Sequence, residues 1–175
     1  MPFSDRRSVG VGSLQATALG LAVAVAAIDQ ATKAMARKNL EDVVNLTSFI
    51  ALRLGFNPGV TFGLFAGSGD MGRWVLSIVS LLIIAVLSIW AWRTRRPLLA
   101  AGLSLMVGGA LGNLLDRLRF GHVTDFIDLH WGDAHWPTFN LADAAIVCGI
   151  GLLLLASRSG AEPGTSSPTI EPTVR

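Results

Sequence analysis

Four aspartates are the residues of this sequence whose positions suggest chemistry. Asp29, Asp116, Asp125 and Asp143 lie inside or at the edges of long apolar stretches. An ionisable side chain within or beside a bilayer is costly, and for that reason it usually has a function. We expect all four carboxyl groups at one boundary of the apolar region, where they could act together on a substrate.

Asp125 and Asp143 are the candidates for a reacting pair. They are 18 positions apart (143 − 125), and the segment between them returns to the same depth, so the two carboxyl groups can meet. Two neighbouring carboxylates cannot both ionise cheaply, so one keeps its proton near neutral pH. The ionised group can activate water while the protonated one polarises a carbonyl. A simpler alternative is a helix start that Asn140 caps and whose dipole favours Asp143.

Asp29 and Lys33 are four residues apart at the end of the first apolar stretch, so they share a helix face. The simpler interpretation is an intrahelical ion pair that ends the first spanning helix. The functional interpretation is a clamp that orients the substrate or a neighbouring sheet. The sequence leaves both open.

A polar stripe lies at the end of the third apolar stretch. Gly109, Asn113 and Arg117 are spaced by fours, and Asp116 lies beside them. Glycine lets neighbouring helices approach closely in a membrane. The stripe is either a polar packing seam or part of the site. Because so many polar groups within one turn exceed what packing needs, we include them in the candidate site.

The elements that position these residues are membrane-spanning helices. The chain has 175 residues, 51% hydrophobic and 15% charged, with a mean hydropathy of +0.55, whereas soluble proteins carry about 25% charged residues. Four stretches match the length of about twenty residues that crosses a bilayer: Val9–Ile28, Trp74–Trp92, Pro97–Leu115 and Phe139–Ser157. We predict one mainly α-helical, four-span domain over residues 1–159 and a disordered cytoplasmic tail over 160–175.

The composition also excludes several classes of protein. A net charge of +2 with so apolar a chain argues against nucleic-acid binding. The single cysteine, Cys148, excludes a disulfide framework and a cysteine-rich metal site. The three histidines do not form the HExxH motif of zinc proteases.

Arginines predict the orientation. They lie at three places that fall on the same side if the spans alternate: Arg6 and Arg7, Arg93 to Arg96, and Arg158. The positive-inside rule makes that side cytoplasmic, so both termini are inside and residues 33–73 and 117–138 face outward. A cleavable signal peptide is the alternative interpretation of the N-terminus. The length of the apolar run and the polar Asp29 and Lys33 beyond it disfavour that alternative.

A small sheet is predicted on the outer face. Between Ile50 and Phe56 apolar residues alternate with Ala51, Arg53 and Gly55, which is typical of a half-buried strand. Asn57-Pro58-Gly59 predicts a turn, after which 60–65 could pair back as a second strand. The outer segment 119–138 has an interfacial character, and no strand is predicted there.

Five motifs in order then resemble the lipoprotein signal peptidase family, also called signal peptidase II, of bacterial inner membranes. The resemblance covers the chain from the first span to the fourth, and its five motifs in order are specific although no single one is. The motifs are Asp29-Gln30-x-x-Lys33, Asn57-x-Gly59, Gly109-x-x-Gly112-Asn113-x-x-Asp116-Arg117, Val123-x-Asp125-Phe126 and Phe139-Asn140-x-Ala142-Asp143.

The resemblance implies a metal-free aspartyl endopeptidase without a cofactor, with Asp125 and Asp143 as its catalytic pair. It would act as a monomer among membrane lipids and cut prolipoproteins before a diacylglyceryl-modified cysteine. The family commonly has small residues after Gly59, whereas Val60-Thr61 stand here. The implied supporting and substrate-binding residues are Asp29, Lys33, Asn57, Gly59, Gly109, Asn113, Asp116, Arg117, Val123, Phe126, Asn140 and Ala142.

Rival functions predict different patterns. The segment 67–70 matches the GxGD box of another intramembrane protease class, but it lies in a glycine-rich loop rather than a helix core. A rhomboid-type serine protease needs a glycine where Ala66 stands. An ion-coupled transporter would place its acids near mid-bilayer. A scaffold would tolerate Asp125→Asn and Asp143→Asn.

Overall fold

The described part of the chain folds as four long helices and a four-stranded antiparallel sheet. The computed structural model describes residues 11–59 and 70–158. The helices are α1 (Val11–Asn39), α2 (Asp70–Arg93), α3 (Pro97–Phe120) and α4 (Leu141–Arg158). The strands are β1 (Val44–Asn45), β2 (Ile50–Asn57), β3 (Val123–Trp131) and β4 (Ala134–His135).

All four helices are long and apolar enough to cross a membrane, which confirms the predicted mainly helical, multi-span architecture. Several predictions concern residues outside the described ranges. They are those for Arg6 and Arg7, for a strand at 60–65, for the glycine-rich box at 67–69 and for the tail at 160–175.

Helix α1 is longer than its apolar stretch. It continues past Ile28 to Asn39 and ends with Arg37 and Lys38 in its last turn, where cations favour the helix dipole. The Asp29–Lys33 pair therefore lies within the helix and does not end it. This extension brings Arg37 to the sheet, where it donates to the Thr124 hydroxyl on β3.

Helix α3 is the centre of the bundle and packs against each of the other three helices. It starts at Pro97, whose fixed φ suits the first turn, and ends at Phe120, followed by Gly121 as its C-cap with a φ of 80°. Its glycines allow close contact, since a Cβ on Gly108 would lie 2.6 Å from the Ala22 carbonyl oxygen. A Cβ on Gly109 would lie 2.4 Å from the Ala142 carbonyl oxygen.

The two ends of the bundle differ in chemistry. At one end the Gln15 side chain donates to the Trp92 carbonyl, and Arg96 donates to the Ala156 carbonyl. These contacts bring together the start of α1, the end of α2, the start of α3 and the end of α4. The sheet and the four aspartates lie at the opposite end.

The sheet has the order β1-β2-β3-β4, with every pairing antiparallel. Strand β2 agrees with the predicted strand, but its partners within the described chain are β1 and β3. An extra residue in β2 between Leu52 and Gly55 shifts the pairing. Exposure along β2 does not follow the predicted alternation, since Ala51, before the shift, is 1% exposed and Phe56, after it, is 55% exposed.

Strand β3 was missed by sequence reasoning. Its buried residues include Thr124, Asp125 and Asp128, so the strand shows no simple alternation of apolar and polar residues. The hydrogen bonds that satisfy these polar side chains come from other elements, and no local pattern reveals them.

We predict that Gly109→Ala destabilises the bundle, because the added methyl group would meet the Ala142 backbone at 2.4 Å. Overpacking of this kind costs roughly 1–3 kcal/mol. The measurement is the thermal unfolding midpoint in detergent. Gly151→Ala is the matched control, since a Cβ there meets nothing within 4 Å. Equal midpoints for the two variants would contradict the close approach of α3 and α4.

Candidate active site

Asn140 and Asp143 cap the start of α4 reciprocally. The Asn140 side-chain oxygen accepts the Asp143 N–H at 3.0 Å, and Asp143 Oδ2 accepts the Asn140 N–H at 3.1 Å. This is a capping box, so the simpler alternative for Asp143 describes a real interaction. It does not exclude a second role, because Asn140 Nδ2 also donates to Asp125 Oδ1 at 2.7 Å.

Asn113 on α3 contacts Asp143 directly and is linked to Asp125 through Asn140. Its Nδ2 donates to Asp143 Oδ1 at 2.8 Å, and its Oδ1 accepts from Lys33 Nζ at 2.8 Å and from Asn140 Nδ2 at 3.1 Å. Both oxygens of Asp143 therefore receive N–H donors. The two asparagines link the carboxyl groups of Asp125 and Asp143, which the sequence separates by 18 residues.

Asp125 is held in a buried position on β3, opposite Gly55 of β2, and is only 2% exposed. Burial raises its pKa to about 6, and the negative charge of Asp143 adds to this increase. Hydrogen bonds from Asn140 and Asn57 and the positive charge of Lys33 oppose it. The Asp125 carboxyl group therefore keeps its proton to a higher pH than an ordinary aspartic acid.

Lys33 is completely buried and joins α1 to α3. Its Nζ lies 2.8 Å from Asp29 Oδ2 and 3.9 Å from Asp116 Oδ2, in addition to its contact with Asn113. Asp29 Oδ1 in turn accepts the Ala142 N–H at 2.9 Å. Asp29 therefore satisfies a second N–H at the start of α4. The Asp29–Lys33 pair is the intrahelical ion pair of the simpler interpretation, although it does not end the helix. Its role as a clamp that orients the substrate or the sheet stays a prediction.

Asp116 anchors the sheet to the helices. One of its oxygens accepts the backbone N–H of Thr124 on β3 at 2.9 Å. Gln30 donates to the other at 3.1 Å, and Arg37 lies 3.5 Å from it. Sequence reasoning omitted Gln30, Arg37 and Thr124 from the site. A signal for the first two exists, since residues 30, 33 and 37 share one face of a helix.

Asn57 and Gly59 shape the end of β2. The Asn57 side-chain oxygen accepts the Gly59 N–H at 2.8 Å, which forms the turn that the sequence predicts. Gly59 adopts a φ of 88°, and a Cβ there would lie 2.1 Å from the Leu76 side chain. Glycine is therefore required both by the backbone conformation and by the contact with α2.

Arg117 extends the site towards the membrane. Within the described part of the chain its Nε is buried and has no hydrogen-bond partner. It borders a cavity of about 280 Å³ between α2, α3 and α4, together with Asn113 and mainly apolar side chains such as Met106 and Ile146. A cation and an amide thus lie beside an apolar space.

The remaining predicted residues surround the site and contact it through strand pairing, a backbone hydrogen bond and packing. Val123 is buried and pairs with Asn57 across the sheet. The Phe126 N–H donates to the Phe139 carbonyl at 3.0 Å, which holds the segment before α4 against β3. Gly109 and Ala142 supply the close contact between α3 and α4. All the predicted residues thus lie in or directly beside one network at the sheet end of the bundle.

Comparison with known proteins places this arrangement in a family. Residues 21–158 match the sequence model of a family described as signal peptidase (SPase) II. A lipoprotein signal peptidase from Moorella thermoacetica is 46% identical over 154 residues, covering 82% of this chain and 97% of the relative. Another from Pseudomonas fluorescens is 38% identical over 161 residues, covering 89% and 92%.

A solved structure gives the same result for the fold. It is described as a bacterial membrane enzyme determined by the in meso method at 2.3 Å. It superposes with a TM-score of 0.73 at 25% identity and covers 89% of this chain and 95% of its own. The residues matched by the family model include all those of the hydrogen-bond network, and the chain belongs to the signal peptidase II family.

Proposed function

We propose that this protein is a lipoprotein signal peptidase that removes signal peptides from prolipoproteins by a metal-free aspartyl mechanism. The observation that carries the proposal is that two asparagines hold the carboxyl groups of Asp125 and Asp143 in one hydrogen-bond network. Asn140 contacts Asp125 and Asp143, and Asn113 contacts Asp143 and Asn140. Membership of the signal peptidase II family supports the substrate class.

Asp143 is the general base and Asp125 the general acid in this proposal. Both oxygens of Asp143 accept N–H donors, which suits the ionised form. Asp125 has a pKa raised to about 6 by burial, which suits the protonated form. Two carboxyl groups in unlike environments can thus divide the acid and base roles.

The reaction follows from these two states. Asp143 removes a proton from a water molecule as the water oxygen attacks the scissile carbonyl carbon. Asp125 donates its proton to the carbonyl oxygen. The resulting tetrahedral diol collapses when Asp143 returns its proton to the amide nitrogen and Asp125 takes one from a diol hydroxyl. The C–N bond breaks, one water is consumed, and both aspartates regain their starting states.

The lipid-modified part of the substrate has a place in this scheme. The cut falls before a diacylglyceryl-modified cysteine, whose acyl chains stay in the bilayer. The cavity beside Asn113 and Arg117 is mainly apolar and lies between helices, so it suits the apolar portion of the substrate. The sheet around Asn57 and Gly59 would hold the extended peptide through backbone hydrogen bonds.

The chain would function as a monomer in the bacterial inner membrane with both termini in the cytoplasm and the site at the outer face. Arg93, Arg96 and Arg158 lie at the end opposite the sheet, as the positive-inside rule requires. Residues 1–159 would form the peptidase domain, and 160–175 a cytoplasmic tail. A transporter is disfavoured, because the acids cluster at one end of the bundle.

Asp125→Asn and Asp143→Asn should each abolish cleavage of a diacylglyceryl-modified prolipoprotein by the purified protein in detergent. Each variant lacks one of the two proton transfers, so the rate should fall by about 10²-fold or more. Cleavage by the parent should persist in EDTA. Asp42→Asn is the control, since Asp42 is an exposed residue on the loop before β1. Activity in a well-folded variant of either member of the catalytic dyad, Asp125 or Asp143, would overturn the assignment of these two residues as catalytic.

The pH dependence should report the Asp125 proton. Because its pKa is raised to about 6, the required proton is present below that pH and is lost above it. We expect kcat/KM to fall by about tenfold per pH unit on the alkaline side of about pH 6. A pH series of initial rates at low substrate concentration measures this limb. A value of kcat/KM that rises steadily between pH 6 and pH 8 would contradict Asp125 as the acid.

Asp116→Asn should show whether Asp116 stabilises the fold or takes part in peptide cleavage. The change leaves the buried Lys33 and the partly buried Arg37 with less compensating charge, and breaking a buried ion pair costs about 3–5 kcal/mol. The thermal midpoint should therefore fall, whereas the cleavage rate per folded molecule should stay within about tenfold of the parent. Circular dichroism gives the folded fraction. Loss of all cleavage in a fully folded sample would make Asp116 a catalytic residue.

A further inference from the structure

A second cluster of chemically capable side chains lies at the tip of the sheet, away from the dyad. Strands β3 and β4 form a hairpin whose turn is Gly132-Asp133, and His130 pairs directly with His135 across it. Asp128 lies two residues before His130, so both side chains point to the same face of β3. The hairpin therefore brings one carboxyl group and two imidazoles together.

The three side chains are close enough to share an ion. One possible ligand atom from each lies within 4.8 Å of the other two. His135 Nδ1 lies 2.9 Å from both oxygens of Asp128. The rings of His130 and His135 stack with their centroids 5.2 Å apart. Asp128 is almost completely buried, whereas His135 is 38% exposed.

A hydrogen-bonded His–Asp pair is the simpler interpretation, but it leaves one group unexplained. His130 Nδ1 is buried and has no hydrogen-bond partner among the described residues. A buried polar atom without a partner is rare and costly. The His135–Asp128 bond does not involve this nitrogen, whereas an ion held by the three side chains would give the His130 imidazole a partner.

We propose that Asp128, His130 and His135 bind a divalent transition-metal ion of the zinc class at the tip of the sheet. Two imidazoles and a carboxylate are a ligand set that suits Zn²⁺, with water completing the coordination. Metal–ligand bonds are about 2 Å long, so the ligands must draw closer together. The partly exposed His135 has room to rotate. Arg53, whose guanidinium lies 3.5 Å from Asp128, would orient the carboxylate from outside the ion's ligand set.

This ion would be structural and take no part in peptide cleavage. Asp125 lies three residues before Asp128 on the same strand, so it points to the opposite face and is roughly 10 Å away along the strand. The ion would hold β4 against β3, and β3 carries Asp125. It would thus stabilise the outer part of the sheet, and cleavage would continue in the presence of a chelator.

The test is Zn²⁺ binding to the purified, metal-stripped full-length protein in detergent, prepared without a polyhistidine tag. Isothermal titration with ZnCl₂ should show one site, and thermal unfolding should show a higher midpoint when Zn²⁺ is present. His130→Asn and His135→Asn should each weaken binding by at least about 100-fold, because changes outside the ligand set already cost 10–100-fold. Co²⁺ should give visible absorption bands in the parent that the double variant lacks.

His122→Asn is the matched control, because His122 packs against Phe56 and lies outside the cluster. It should bind Zn²⁺ as tightly as the parent. If His130→Asn does not fold, the partly exposed His135→Asn decides the question. Parent and His135→Asn affinities that agree within threefold, or an equal loss in His122→Asn, would overturn the proposal. Cleavage activity is measured separately, so failure of the metal site leaves the dyad proposal intact.

Discussion

The structure depends on the complete burial of one cation, the Lys33 ammonium group. It is removed from water between α1 and α3, and a buried charge without partners costs several kcal/mol. Asp29, Asp116 and Asn113 supply those partners. Because each of them also contacts another element, satisfying Lys33 fixes the relative positions of the helices and, through Asp116, of the sheet.

The candidate dyad is arranged by asparagines rather than by direct contact with charged groups. An amide side chain can donate and accept at once, and Asn140 uses both abilities by capping α4 and contacting Asp125. Asn113 similarly accepts a hydrogen bond from Lys33 and donates one to Asp143. The same hydrogen bonds that stabilise the start of a helix thus orient two carboxyl groups, so stability and preorganisation come from one set of interactions.

Close packing at α3 makes this network possible in a membrane. Small residues such as Gly109 and Gly112 allow backbone and side-chain atoms of α4 and α1 to approach α3, which larger residues would prevent. Outside this centre, many apolar side chains of α2 and α4 are exposed, for example Leu82 and Leu154. Such surfaces suit lipid, so polar groups are concentrated where the helices meet one another and the sheet.

The sequence alone determined the helices and the candidate site residues. Long apolar runs specify spanning helices because the bilayer sets their length, and isolated polar residues such as Asp143 stand out against them. Only the tertiary structure decided the register of β3, the roles of Gln30 and Arg37, and the meeting of His130 with His135. These depend on contacts between residues far apart in the chain or across a hairpin. A strand whose buried polar groups are satisfied by other elements has no local pattern that predicts it.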